Sequence, residues 1–254
     1  MMSSRAEKSV RIVELKDVPP GAIMVNGLPG VGLVGVIAVS HIVRMLKLQE
    51  VAYVDSPLLP PITVLHGGLP HAPIRIHGNH ELLAVLSEIP IPSTAVYTLS
   101  RSLVDWAAEK KVKMIVSLGG IAVPNRGEIE QPSTFAVASD ENSLKLLKET
   151  GVKIMEEGYM VGPYAVIMAY ARQVGVPSIS ILAESFFNYP DPEAAAATIT
   201  VLNKLVGVDV EVSELIERGE EIRLRARDMM KRTQEELVKM KSARELDIPP
   251  PIYI

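Results

Sequence analysis

The sequence predicts an α/β fold: a mostly parallel sheet flanked by helices, with an inserted β-meander and a long C-terminal helix. Three observations carry that prediction. Strand-like and helix-like segments alternate along most of the chain. The runs AIMVN, MIVSL and SISIL are apolar throughout, as strands covered on both faces are. From Ser213 the composition shifts to a dense mixture of acids and bases.

Taken in order, VRIVELKDV reads as a first strand and PPG as the turn into a buried strand, AIMVN. VGLVGVIAVSHIVRMLK has helical length and periodicity, and EVAYVD is again a strand, which completes a β-α-β unit. PITVLHGG, APIRIHG and HELLAVLSEIP form the inserted meander. SRSLVDWAAEKK is helical, KMIVSLGG is a strand ending in glycines, and STFAVAS is another strand. ENSLKLLKET is a helix stopped by Gly151. PYAVIMAYARQVG is a helix and PSISILAE a strand. Asp191 caps DPEAAAATITVLNKLVG, with Pro192 at the first helical position.

Residues 213–247 hold nine acidic and nine basic side chains. Glu214–Arg218, Glu221–Arg225, Asp228–Arg232 and Glu235–Lys239 have the favourable i,i+4 order. Ala226, Met229, Met230, Thr233, Leu237 and Met240 make one apolar stripe. The segment is expected as one charged helix of about nine turns. It either docks on its own domain, or serves as an arm or as an oligomer contact through the Met stripe. The chain thus divides into an α/β domain (1–212), the charged helix (213–247) and a Pro-rich tail (248–254).

Composition bounds the function. The chain has 254 residues, 48% of them hydrophobic, a net charge of −4 and no cysteine. Disulfides, thiolate metal sites and a cysteine nucleophile are excluded. The acidic balance argues against nucleic acid. VGLVGVIAVS is shorter than the roughly 20 residues a membrane span needs, and MMSSRAEKSV lacks a signal-peptide core. A soluble, cytoplasmic protein is expected.

The strand AIMVN runs into GLPGVGLVG, where Gly30, Gly32 and Gly35 spell G-x-G-x-x-G, and Asp55 ends the next strand 25 residues after Gly30. This is the layout of a dinucleotide fingerprint, with an anion at the helix N-terminus and an acid for the ribose. Gly30, Gly32, Gly35 and Asp55 are therefore candidate ligand-binding residues for a nucleotide or nucleoside enzyme. The rival reading is close strand–helix packing, which also requires glycine. His66, His71, His77 and His80 cluster in the meander, but no carboxylate is evident in the sequence to complete a metal site, and no metal is assigned. Glu128 and Glu130 read either as paired carboxylates or as simple alternation in a polar loop or edge strand, and Glu184 follows a strand, where α/β ligand sites lie, or equally caps the next loop. No Walker motif, nucleophile elbow or zinc-protease motif is present, so neither a catalytic residue nor a cofactor is assigned.

GLPGVGLVG, then YMVGPYAVIMAYARQVGVPSISILAES, then DPEAAAATITVLNKLVG resemble, in that order, the proteasome assembly chaperone family, in its archaeal, second-subunit branch. The resemblance extends to the archaeal proteasome activator with a hydrophobic-tyrosine-X tail. It implies an α/β sandwich distantly like the nucleoside phosphorylases, no catalysis, and ring-like or tetrameric homo-oligomers, or pairing with a related family member. It also implies a role for the last eight residues, DIPPPIYI. Ile252, Tyr253 and Ile254 occupy the tail motif that inserts between α-subunits of the 20S proteasome, the terminal carboxylate meeting a pocket lysine. The physics of such a tail agrees. A carboxylate needs a cation or a backbone nest, tyrosine offers large area at low entropy cost, and three prolines hold the approach extended. The alternative is a homo-oligomer that keeps this tail sequestered.

Overall fold

The computed structural model describes residues 10–242. Eleven strands and seven α-helices occupy them in the order β1 (Arg11–Glu14), β2 (Ile23–Gly27), α1 (Val34–Met45), β3 (Gln49–Asp55), β4 (Val64–His66), β5 (Leu69–His71), β6 (Ile74–Gly78), β7 (Leu82–Ser87), α2 (Ser93–Glu109), β8 (Met114–Ala122), β9 (Thr134–Ala138), α3 (Glu141–Thr150), β10 (Lys153–Ile154), α4 (Pro163–Val174), β11 (Ser178–Ser185), α5 (Pro192–Val206), α6 (Ser213–Glu217) and α7 (Gly219–Ser242).

Nine strands form one sheet in the order β1-β3-β6-β7-β2-β8-β11-β9-β10, and β4 and β5 form a separate hairpin. The centre is parallel: β2 pairs with β7 and β8, and β8 with β11. The flanks turn antiparallel, through β1–β3, β3–β6 and β6–β7 on one side and β11–β9 on the other, where β10 adds a last, parallel pair with β9. The sheet is therefore mixed, with its parallel part where the fully apolar strands lie. The meander explains one flank. Its strands β6 and β7 are inserted between β2 and β3, so the β2-α1-β3 crossover spans two intervening strands.

Alternation along the strands sends side chains into two apolar layers. Val25, Val116 and Ile181 face α1 and α5, with Ile42, Ile199 and Leu202. Met24, Ile115 and Val85 face α2 and α4, with Leu99, Leu103 and Ile167. The helix ends follow local chemistry. The Asp140 side chain accepts from Ser143 N and Asp191 from Ala194 N, while Gly151, Gly175 and Gly207 close α3, α4 and α5 in left-handed conformations. Burial pushes the Asp140 carboxyl up, but hydrogen bonds from Ser143 and Ser139 outweigh it and hold the pKa below the usual range.

The charged C-terminal segment is not one helix. It breaks after Glu217, and a second helix starts at Gly219, where glycine gives the ladder its weakest point. Glu214–Arg218 and Glu221–Arg225 do pair at i,i+4. The helix α7 lies on the body. Ile222, Ala226 and Met229 pack on the layer of α1 and α5, and Met240 on that of α2 and α4. It therefore crosses from one helical layer to the other, over the turn that precedes α1. Met230 and Thr233 are buried beneath it. No helix among the described residues is long and apolar enough to cross a membrane.

Candidate functional site

In an α/β sheet the place to look for a ligand is the crevice at the carboxyl ends of the parallel strands. Here β2 delivers Leu28, Pro29 and Gly30, then a tight turn over Val31–Leu33, then α1. Gly32 has φ +60°, a conformation that favours glycine. A Cβ on Gly32 would stand 2.0 Å from Ser185 Oγ. One on Gly35 would stand 2.2 Å from the Leu118 carbonyl oxygen and 2.6 Å from Tyr164 Oη. Gly30 is different: its φ of −163° is ordinary extended backbone, and nothing lies within 4 Å of an added Cβ. Two of the three fingerprint glycines are thus fixed by contact with β8, β11 and α4.

Tyr164, in the first turn of α4, clamps the turn from beneath. Its hydroxyl accepts from Leu28 N at 2.8 Å and lies 3.1 Å from the Leu28 carbonyl oxygen, to which it donates. Burial raises its pKa, so the phenol stays protonated and keeps both roles.

A second clamp comes from the other side. The buried Arg126 guanidinium grips Asp191 with two bonds, Nε to Oδ2 at 2.8 Å and Nη2 to Oδ1 at 3.1 Å. The same Nη2 reaches Glu193 at 2.8 Å, and Nη1 donates to the Ile129 carbonyl at 2.6 Å. Its carbon centre sits 5.2 Å from the Phe186 ring centroid. Burial pulls the Arg126 pKa down, but Asp191 and Glu193 outweigh it and raise the net value. Asp191 N donates to the Gly32 carbonyl at 2.9 Å. From α7, Arg223 reaches Glu193 at 3.3 Å. One polar chain therefore joins the C-terminal helix to the glycine turn. Sequence reading passed over Arg126. Asp191 was legible as a helix cap, but nothing in a single sequence pairs it with an arginine 65 residues away.

What remains free at the crossover is about 20 Å³, lined by Leu28, Gly30, Gly35, Gly120, Tyr164 and by Leu237 of α7. Ligand pockets run to about 300–1,000 Å³; this space suits roughly one water molecule. Asp55 is not beside it. The fingerprint wants its acid on the strand next to β2, but β6 and β7 stand between β2 and β3, and Asp55 pairs with Arg11 of β1. The structure brings the glycines together and leaves Asp55 at the other flank.

The remaining candidates are also accounted for. His66 meets Glu88 at 3.0 Å and His71 meets Glu50 at 3.1 Å, around the buried Arg75. His77 points into the protein, and burial first, then the charge of Arg75, lower its pKa. His80 is exposed beside Glu81. Glu184 ties down the loop before β9 by accepting from Ser133 N at 2.8 Å. Glu128 ends a short 3₁₀ turn that starts at Arg126, with Glu130 in the loop beyond. Ile252, Tyr253 and Ile254 lie outside the described residues.

The family model described as PAC2 matches residues 24–230, from the glycine strand to the helix that crosses it. The chain belongs to the PAC2 family. The chain is 30% identical over 227 residues to the uncharacterized protein MJ0106 of Methanocaldococcus jannaschii, covering 89% of this chain and 91% of that one. It is similar to the crystal structure of Pyrococcus furiosus PbaA, described as an archaeal homolog of proteasome-assembly chaperone. The TM-score is 0.84 at 30% identity, over 89% of this chain and 98% of PbaA. Pyrococcus furiosus PbaB, described as an archaeal proteasome activator, shares the fold with a TM-score of 0.73 at 24% identity, over 87% of this chain and 98% of PbaB.

Proposed function

We propose that this PAC2-family chain is a non-enzymatic, ATP-independent proteasome-binding protein of the cytoplasm. It assists α-ring assembly, opens the gate of the 20S particle, or both. Ile252, Tyr253 and Ile254 dock between α-subunits, and several copies of the chain present their tails together, so that weak single contacts sum to useful avidity. The observation that carries the reading is the I-Y-I sequence behind Pro249–Pro251, on a chain similar over most of its length to PbaA. The packing of the glycine crossover supports it from the opposite direction. The crevice where an α/β enzyme would hold its substrate is filled by Tyr164 and Leu237.

The test is surface plasmon resonance on purified archaeal 20S particles and isolated α-rings, with peptide hydrolysis read in parallel. The full chain is compared with one lacking residues 252–254. Binding that is lost on truncation is the expected result. Faster hydrolysis, lost with it, assigns gate opening; unchanged hydrolysis assigns assembly. A full chain that binds neither particle overturns the proposal.

A further inference from the structure

Residues 56–74 contain no Asp, Glu, Lys or Arg, in a chain where such residues make up 22%. They include five prolines and several large aliphatic side chains. Within them β4 and β5 pair only with each other, turning at Gly67 and Gly68, both at positive φ. The resulting arm leaves its apolar side chains in water: Leu65 is 69% exposed, Leu69 64% and Ile62 40%. The hairpin is held at both ends: His66, beside the turn, meets Glu88 and His71, at the open end, meets Glu50. An anchored hairpin with uncharged, apolar side chains left in water marks a surface that meets a partner.

Beside the turn end of that hairpin runs a groove of about 630 Å³ between α1 and the two C-terminal helices. Ile37, Leu86, Leu215, Ile222 and Met229 give it an apolar floor. Its rim is charged but internally paired. Arg44 pairs with Glu214 at 2.8 Å, Arg218 with Glu214 at 2.8 Å and with Glu221 at 2.6 Å, and Arg225 with Glu221. A charged ligand would compete with these pairs. An uncharged, apolar occupant leaves every one of them in place, and buries floor and ligand together.

We propose that the β4–β5 arm of one copy seats its Leu65 and Leu69 in this groove of a second copy. The occupant matches the groove in charge, since the arm carries none to upset the rim. His66 belongs to the arm and also lines the groove, so the two features lie side by side on one face. A two-fold axis then brings each arm to the other copy's groove, the self-complementary arrangement of isologous dimers. This contact deepens the reading that copies of the chain present tails together. It leaves proteasome docking by each tail independent of it.

The absence of native cysteine allows a direct test on the full chain, without proteasome. A Leu65→Cys chain is mixed with a Met229→Cys chain under oxidising conditions and run on a non-reducing gel. A mixed-pair band that neither variant forms alone is expected. In parallel, light scattering should show the wild-type chain as more than one copy, and the Leu65→Glu/Leu69→Glu variant at lower mass with its thermal transition retained. Monomeric wild type, a Leu65→Cys chain that links only to itself, or an unchanged mass in the double variant overturns the proposal. Loss of the thermal transition in the glutamate variant leaves the cysteine pair to decide.

Discussion

The glycine crossover and the arm-and-groove face are opposites. At the crossover, a motif that reads as a ligand loop has two of its three glycines packed against Ser185, Leu118 and Tyr164, with Leu237 lining the little space that remains. At the other face, a stretch with no recognisable motif leaves three large aliphatic side chains in solvent next to an open groove. The lesson is that a glycine pattern records how closely backbones approach, and does not say what approaches. Here it is the protein itself. Exposed apolar surface, which needs no motif, is the better guide to where this protein meets others.

The sharpest way to break that contrast is Arg126→Ala. It strands the buried Asp191, and should cost about 3–5 kcal/mol of stability by urea denaturation. A cost under about 1 kcal/mol would mean the crossover is not held as tightly as its geometry implies. Next comes Gly32→Ala, whose methyl would collide with Ser185 at a strained φ. A loss of about 1–3 kcal/mol is expected, against less than about 0.5 kcal/mol for Gly30→Ala, where space is open. Equal effects would favour a shared ligand role over packing. Tyr164→Phe removes the partner of the Leu28 amide and should cost about 1–3 kcal/mol in the same assay.

A pH titration tests a site near the arm. His77 has a folded pKa below its unfolded value, because burial and then Arg75 disfavour its charge. Its neutral form is the one the fold accepts. Above about pH 6.5 the group is neutral in both states and costs nothing. As pH falls from there through the lower folded pKa, the unfolded chain takes up the proton first and stability drops. His77→Gln should flatten that part of the profile. The smallest effect belongs to the groove rim: Arg225, three-quarters exposed on its side chain, should lose less than about 0.5 kcal/mol on replacement by alanine.

Much of this could be read from the sequence because the core strands are apolar runs and the helices carry their own stops. AIMVN, MIVSL and SISIL became β2, β8 and β11, and Asp191 capped α5. What was missed was short or distant. β10 has two residues, too few for any periodicity. The start of α2 at Ser93 precedes the expected SRSLVDWAAEKK because STAVYTL continues the same helix. The break at Gly219 was hidden by a charge ladder that continues across it. The strand order that separates Asp55 from Gly30, and the pairing of Arg126 with Asp191, depend on contacts between remote residues, which spacing alone does not encode.

Near its C-terminal end, α7 places Glu236 against the first turn of α2, where its carboxylate accepts from Ser93 N at 3.1 Å. Near its start, Arg223 holds Glu193. A force applied to the chain beyond Ser242 would therefore load the helix from its far end. It would peel Met240 first, then Leu237 and the Glu236 contact, then the buried Thr233 and Met230, and reach the Arg223 anchor last. The helix is a zipper with a fixed opening sequence, and the glycine crossover is uncovered only part-way along it. Tension on the tail would thus be converted into stepwise exposure of the body, with Leu237 among the first apolar side chains to leave.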